Sequence, residues 1–388
     1  MIIKHIQYFL VSLIFLFNGS TFAQHAEEES SAEESFNAGE MIIEHIVDSY
    51  EWHILDYDDF HLSIPLPVII FHEGNLLTFM SSTFHHGHAP ALFDENNKLI
   101  HAEETDNNHS VSYGLAVMHE GAHKGKLAYI DVNEYIHHHK IVENTEAGMP
   151  YDFSITKNVL SLWMSLILIL WVFVSVAKSY KTRKGKAPKG MQNMLEPFII
   201  FIRDDIAKES IGEKKYEKYL PYLLTIFFFI FFNNLLGLIP FFPGGANLTG
   251  NIAVTMVLAL FTFIITNVSG NKNYWVHIIN TPGVPWWLKI PMPLMPIVEL
   301  VGLITKPFVL MVRLFANITA GHIIVLGFIS LIFIFGNMNP AIGYGVSVVS
   351  IAFTIFLTFL EFLVALIQAY VFTLLSALYF GSAVEEHH

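Results

Sequence analysis

The sequence has no cysteine and little charge: of its 388 residues, 14% are Asp, Glu, Lys or Arg, while 53% are hydrophobic. Without cysteine there can be no disulfide, no thiolate metal site and no cysteine nucleophile. So little charge excludes an ordinary soluble domain, in which roughly a quarter of residues are charged. A glycine-rich phosphate-binding loop is also missing, so any nucleotide chemistry would have to belong to another chain. The net charge of −13 comes mainly from the first part of the chain and argues against a nucleic-acid partner.

The charge that is present is unevenly spread. Residues 24–158 hold 24 of the 34 acidic residues, 15 of the 20 histidines and only five lysines. Residues 178–218 hold 11 of the 21 basic residues, and only four follow residue 218. This distribution predicts an acidic, water-exposed domain followed by a membrane domain.

Residues 1–23 read as a signal peptide. Lys4 and His5 precede a run of about 10 apolar residues, too short to cross a hydrocarbon core of roughly 30 Å, and Thr21-Phe22-Ala23 resembles a cleavage site. The alternative is an uncleaved anchor. In either case the chain after Ala23 begins outside the cytoplasm. Residues 24–40 are acidic and poor in large apolar side chains, so they are expected to stay solvated. Further on, 60–64 alternates, 65–71 reads as an edge strand opened by prolines, and 76–80 and 127–132 are further strand candidates. The expectation for 24–158 is a small β-rich extracytoplasmic domain. Its histidine clusters, His85-His86-x-His88 and His137-His138-His139, lack a repeating ligand spacing with carboxylates and read as polar loops, with no metal assigned.

Residues 159–388 read as an all-α polytopic membrane domain. Spanning helices are expected at 159–177, 220–239 and 251–268. The basic loop 178–218 is placed in the cytoplasm by the excess of positive charge, which agrees with an exported amino terminus. Lys272, Trp286, Trp287 and Lys289 are expected in a second cytoplasmic loop.

Two apolar runs are longer than a bilayer needs, 293–335 and 341–380. As continuous helices each would reach about 60 Å, twice the hydrocarbon core. Either each hides a break or the two form a strongly inclined antiparallel hairpin turning at residues 336–340. With Pro307 the only proline well inside the first run and none in the second, the inclined hairpin fits better.

Apart from tyrosines, residues 293–380 contain five ionisable side chains: Glu299, Lys306, Arg313, His322 and Glu361. Charge at membrane depth costs several kcal/mol, so each is a functional candidate. Glu299, Lys306 and Arg313 are seven residues apart and share one helix stripe, with Asn317 four further on. His322 points to roughly the opposite side. On the second helix Glu361 and Gln368 share a face. A structural ion pair is the alternative reading for Glu299 and Lys306. It does not extend to Arg313, because Lys306 lies between that arginine and the stripe's only acid.

The segment PFVLMVRLFANITAGH at 307–322, the segment QAYVF at 368–372 and the segment NLTGN at 247–251 closely resemble subunit a of F-type ATP synthases. The likeness covers roughly 158–380 and leaves the first 158 residues outside it. The resemblance implies a membrane stator whose arginine, here Arg313, faces a rotating ring of c subunits between two half-channels for ions. It implies no cofactor, no ATP site on this chain, and as partners the c-ring, the b-subunit peripheral stalk, the remaining synthase subunits and membrane lipid. It further implies a bacterial inner-membrane location, with the amino-terminal domain periplasmic and the C-terminus cytoplasmic. Many bacterial members carry Glu at the His322 position and His at the Glu361 position. Here the two are exchanged, retaining one imidazole and one carboxylate.

The chemistry suits those roles. A guanidinium keeps its proton in proteins, so Arg313 cannot relay one, but it can hold a passing carboxylate ionised and block a leak between half-channels. His322 and Glu361 can be tuned towards neutral pH, as a proton relay requires. Asn317 and Gln368 would orient the guanidinium or nearby water. A metal or solute transporter fed by the His-rich domain would need ligands within the first three spans, which offer only neutral asparagines. An intramembrane hydrolase would need a Ser–His or paired-Asp constellation at depth, and none is written in the sequence. The imidazole favours H⁺ over Na⁺ as the transported ion.

Overall fold

A computed structural model describes residues 38–385, apart from 58–59, 85–88, 101–110, 119–122, 240–241, 243 and 280–293. The expected signal segment, the acidic stretch to residue 37, His85, His86, His88, Trp286, Trp287 and Lys289 lie outside the described residues. All described residues belong to one compact unit.

The amino-terminal region is β-rich. After helix α1 (Ala38–Ile46) come β1 (Glu51–Tyr57), β2 (Phe60–Pro65), β3 (Pro67–His72), β4 (Asn75–Met80), β5 (Ala91–Phe93), β6 (Leu99–Ile100), β7 (Tyr113–Val117), β8 (Leu127–Ile130), helix α2 (Val132–His138) and β9 (Tyr151–Asp152). They form a β1–β2 ribbon and antiparallel sheets in the orders β4-β3-β9 and β6-β5-β7-β8. Val68 and Ile70 of β3 alternate inward to meet Leu77, Phe84, Phe93, Leu115 and Leu127 in one core.

Three expectations need correction here. The 65–71 strand is not an edge: β3 lies between β4 and β9. Its prolines make this workable, because Pro65 ends β2 and Pro67 opens β3, so neither proline interrupts the ladder within β3. Between them, Leu66 exchanges bonds with Ser81 through its N–H (3.0 Å to Oγ) and its carbonyl (2.9 Å from the Ser81 N–H). The strand expected to reach Val132 stops at Ile130, because Asp131 caps α2 by accepting from the Asn133 and Glu134 N–H groups. His137 and His138 close that helix, and His139 caps it in the left-handed region at φ 50°.

The remainder is helical: α3 (Lys157–Thr182), α4 (Met191–Phe201), a π-helical turn (Ile202–Lys208) running into Glu209–Ile211, α5 (Tyr216–Gly237), α6 (Ile252–Ser269), α7 (Lys272–Ile279), α8 (Leu294–Met338) and α9 (Pro340–Val384). Among the described residues, five helices are long and apolar enough to cross a membrane: α3, α5, α6, α8 from Ile297 onward, and α9. Each exceeds or shifts the expected boundaries by a few residues. The short α7 occupies the start of what was expected to be loop.

Helices α8 and α9 are both 45 residues long and uninterrupted, Pro307 included. The expected five-residue turn shrinks to Asn339, whose side chain accepts from the Ala341 N–H at 2.9 Å while Pro340 takes the first helical position. The hairpin can close this tightly because two glycines meet: a Cβ on Gly343 would lie 2.6 Å from the Cα of Gly336.

Large apolar side chains such as Trp163, Ile167, Trp171, Phe356 and Phe359 face outward. Small polar ones, including Ser165, Thr255, Thr262, Thr373 and Ser376, are buried between helices. Thr373 and Ser376 satisfy their hydroxyls on carbonyls one turn back (2.8 Å each), which lets them sit in an apolar interface at little cost.

Candidate functional site

Because α8 does not break at Pro307, Glu299, Lys306 and Arg313 stay on one continuous helix. Leu310, Met311 and Leu314 bury its inner face where α8 packs on α6 and α9, leaving Arg313 half-buried at the margin. Among the described residues Arg313 has no ion pair.

Among the described residues, two small cavities lie along α8 on either side of Arg313. The first is bounded by Asn234, Leu238, Asn317, Gly321, His322 and Glu361, with Ile318, Val364 and Ala365 completing the wall. Its volume of about 20 Å³ exceeds the roughly 10–15 Å³ that a water molecule needs. It brings together three of the residues singled out in the sequence, Asn317, His322 and Glu361, from two helices. Gly321 makes room for the acid, since a Cβ there would lie 2.6 Å from Glu361 Oε1. That oxygen is buried without a hydrogen-bond partner, the situation in which a water is expected.

Asn234 was not singled out in the sequence. It accepts from the Thr249 hydroxyl at 2.6 Å and donates to the Ala365 carbonyl at 3.3 Å, tying α5, the 246–251 turn and α9 together at the cavity wall. The one signal for it was a neutral asparagine inside an apolar span. Gln368 is buried two turns beyond Glu361 and is not among the cavity-lining residues.

The second cavity, about 10 Å³, is lined by Thr262, Thr266, Asn267, Tyr274, Lys306 and Tyr379, with Phe263, Leu303, Pro307 and Leu310. Lys306 lies over the Tyr379 ring, 5.5 Å from its centre. No ion pair joins Lys306 to Glu299 among the described residues, and seven residues of helix separate the two by about 10 Å of rise. Tyr222 and Ser376 extend the polar seam through Thr262, at 2.8 and 3.3 Å. These residues, too, were not singled out in the sequence.

In the β-rich region, His72 Nδ1 meets the Tyr129 hydroxyl at 2.6 Å, and His123 pairs with Glu143 at 2.6 Å. Among the described residues, no group of three or more His, Asp and Glu converges as a metal site would require.

Two family models match the chain: ATP synthase A chain over residues 159–381, and a domain of unknown function (DUF8433) over residues 41–161. The chain is 40% identical to the ATP synthase subunit a of Chlorobium phaeobacteroides over 328 residues, covering 77% of this chain and 91% of that protein. It is 44% identical to ATP synthase subunit a 2 of Prosthecochloris aestuarii, covering 74% and 85%. With the ATP synthase subunit a of Chloroherpeton thalassium it shares 45% identity, covering 61% and 69%. The first two matches cover more of this chain than residues 159–388 alone can supply. The likeness therefore reaches into the β-rich region, which the sequence motifs had left outside it.

Proposed function

The chain belongs to the ATP synthase subunit a family, and on that premise we propose that it is the proton-conducting stator subunit of an F-type ATP synthase, with Arg313 separating two half-channels to the rotating c-ring. The observation that supports this reading is the pair of cavities flanking Arg313 on α8, one at positions 303–310 with Lys306 in its wall and the other at 317–322 with His322 in its wall.

The cavity with His322 lies towards the end of α5 at Gly237, and a Cβ on that glycine would be 3.7 Å from His322 Nε2. It is the half-channel on the side of the β-rich region, which is periplasmic. The cavity with Lys306 lies near the C-terminal end of α9, where Lys215 donates to the Val384 carbonyl at 2.9 Å. The positive charge of the 178–218 segment supports a cytoplasmic location for that end. The protein is thus a multi-pass inner-membrane subunit with its C-terminus inside. Residues 1–23 act as its signal peptide, and residues 24–158 and 159–388 as its exported and membrane domains.

A proton arriving from the periplasm reaches the imidazole of His322 and the carboxyl of Glu361, which share one water-sized space beside Asn317. From there it neutralises a ring carboxylate. After a turn of the ring the same carboxylate meets the opposite cavity and releases its proton to the cytoplasm. Arg313 stands between the cavities as a charge that neither donates nor accepts a proton. It draws the ionised carboxylate across and denies protons a direct path. Gln368 supports this face from α9, and Glu299 and Lys306 belong to the cytoplasmic side. The chain holds no nucleotide site, so it acts as an ion-translocating part of a complex with the c-ring, the b-subunit stalk and the catalytic subunits. It uses no cofactor and no nucleic acid.

The test is an exchange of the paired residues. Single substitution of His322→Ala or Glu361→Ala should slow proton flux in reconstituted vesicles by tenfold or more, with the c-ring still copurifying. The double exchange His322→Glu with Glu361→His should recover flux beyond either single exchange, because one imidazole and one carboxylate still face the same water. A double exchange no better than the worse single one would contradict the shared relay.

A further inference from the structure

The β-rich region has no part in the stator chemistry above, yet it grips the membrane helices at a specific place. Asp48, just after α1, turns its carboxylate onto the start of α3. Oδ1 accepts from the N–H of Asn158 at 3.0 Å and from that of Ser49 at 3.0 Å, and Oδ2 accepts from the Thr156 hydroxyl at 2.7 Å. The N–H of Lys157 donates to the Ser49 carbonyl at 2.8 Å. The first N–H groups of a helix lack acceptors of their own, and Thr156 makes no side-chain cap here. A carboxylate more than a hundred residues upstream supplies one, with the charge that the positive end of α3 favours.

The side chains at this junction are the informative part. Lys157 is 9% exposed and Asn158 5% exposed, and Asn158 Oδ1 has no hydrogen-bond partner. A buried ammonium and a buried, unpartnered amide oxygen both demand polar company, and a seam of water is what usually provides it. Helix α1 packs directly on α8, the helix that carries His322. Nearby, Trp52 of β1, 3% exposed, meets the edge of Phe242 in the turn after α5, with ring centres 5.3 Å apart. The region therefore rests on the same end of the helices at which the His322 cavity lies.

We propose that the amino-terminal β-rich region forms a wall of the aqueous path to His322, and that this path passes through the seam of Asp48, Lys157 and Asn158. The ligands of the seam are water and the protons it carries. The inference rests on the stator reading, because only then does His322 need a supply of protons. It assigns a role to a region whose family model carries none: it walls one side of the half-channel.

The absence of cysteine makes the test direct, because Asn158→Cys places one thiol on this subunit. The assembled complex is reconstituted with the β-rich region facing the bath, and proton flux is read before and after a water-soluble cationic methanethiosulfonate is added to that side. The reagent should cut flux at least fivefold in Asn158→Cys and leave the native complex unchanged. A thiol that stays unreactive, or one that reacts with no loss of flux, overturns the proposal. Asp48→Asn supplies a second reading that keeps shape and removes charge: flux should fall about threefold with the complex assembled, and unchanged flux counts against the proposal. His322→Ala separates the two levels. If it conducts normally the stator reading itself fails, whereas slow conduction there with an inert Asn158→Cys defeats only the inference about the seam.

Discussion

The β-rich region and the helical region treat polar groups in opposite ways. In the first, charge is plentiful and pairing is specific: Tyr50 donates to Asp152 at 2.6 Å, His123 meets Glu143, and Asp131 caps a helix. In the second, charge is scarce. Many of its buried polar groups are short neutral side chains satisfied within their own helix or by neighbouring segments, as with Thr373 and Asn234. Its one arginine at depth, Arg313, has no ion pair among the described residues. Water makes charge inexpensive in one region and lipid makes it costly in the other. A charge kept at that cost without a local partner points to a partner on another chain.

Backbone packing offers the strongest way to break this contrast. The helices approach through glycine, so Gly343→Ile should push the α8–α9 hairpin apart against the Gly336 backbone. Overpacking of this kind costs about 1–3 kcal/mol or more, and assembled complex in membranes should fall several-fold. Gly327, where an added Cβ meets nothing within 4 Å, should accept Ala with assembly unchanged. Equal losses in the two variants would show that close approach at Gly343 is not what holds the hairpin.

A smaller effect is expected in the β-rich region, where order rests on paired hydrogen bonds. Tyr50→Phe removes the donor to Asp152 and leaves the buried Leu127 N–H, which contacts the Tyr50 oxygen at 3.3 Å, without its acceptor. Such a loss costs about 1–3 kcal/mol, and should appear as faster proteolysis within residues 38–152 while the membrane helices stay protected. Unchanged proteolysis would remove Tyr50 from the interactions that hold the region.

The smallest effect is one of pH. Burial, followed by the neighbouring charges of Tyr129, Asp94 and Glu73, pushes the Tyr113 hydroxyl up to about 12. A tyrosine raised in the folded state contributes stability fully below its unfolded value near 10, and loses it as pH climbs towards 12. Ultraviolet titration of the full chain should therefore show a tyrosine ionising late that Tyr113→Phe lacks. An identical titration curve for the variant would contradict the assignment.

Much of this was legible in the sequence, for unequal reasons. Long apolar runs have few readings, so all five helices were expected within a few residues of where they lie. The Glu299–Lys306–Arg313 stripe followed from spacing alone. Less legible were features that depend on what packs beside a residue. The prolines at 65 and 67 suggested an edge strand because a missing N–H tells of lost bonds on one strand and not of the neighbours that supply the rest. Lys306 was matched to the acid on its own helix, whereas the structure sets it over Tyr379 from α9. Asn234 and Lys157 sit in positions that hydropathy reads as span interior and span boundary. What makes them informative is the backbone carbonyl that a distant segment brings to each, Ala365 to Asn234 and Ser49 to Lys157.

The claim on which the account turns is that Arg313 alone separates two proton paths. ATP synthesis driven by an imposed proton gradient, measured in membrane vesicles carrying Arg313→Ala with Arg313→Lys beside it, tests that claim most directly. The alanine variant should assemble with its c-ring and synthesise no ATP above background. The lysine variant should be nearly as poor, because a compact ammonium does not reproduce the planar guanidinium fork. Coupled synthesis at the native rate from the Arg313→Ala complex would contradict it.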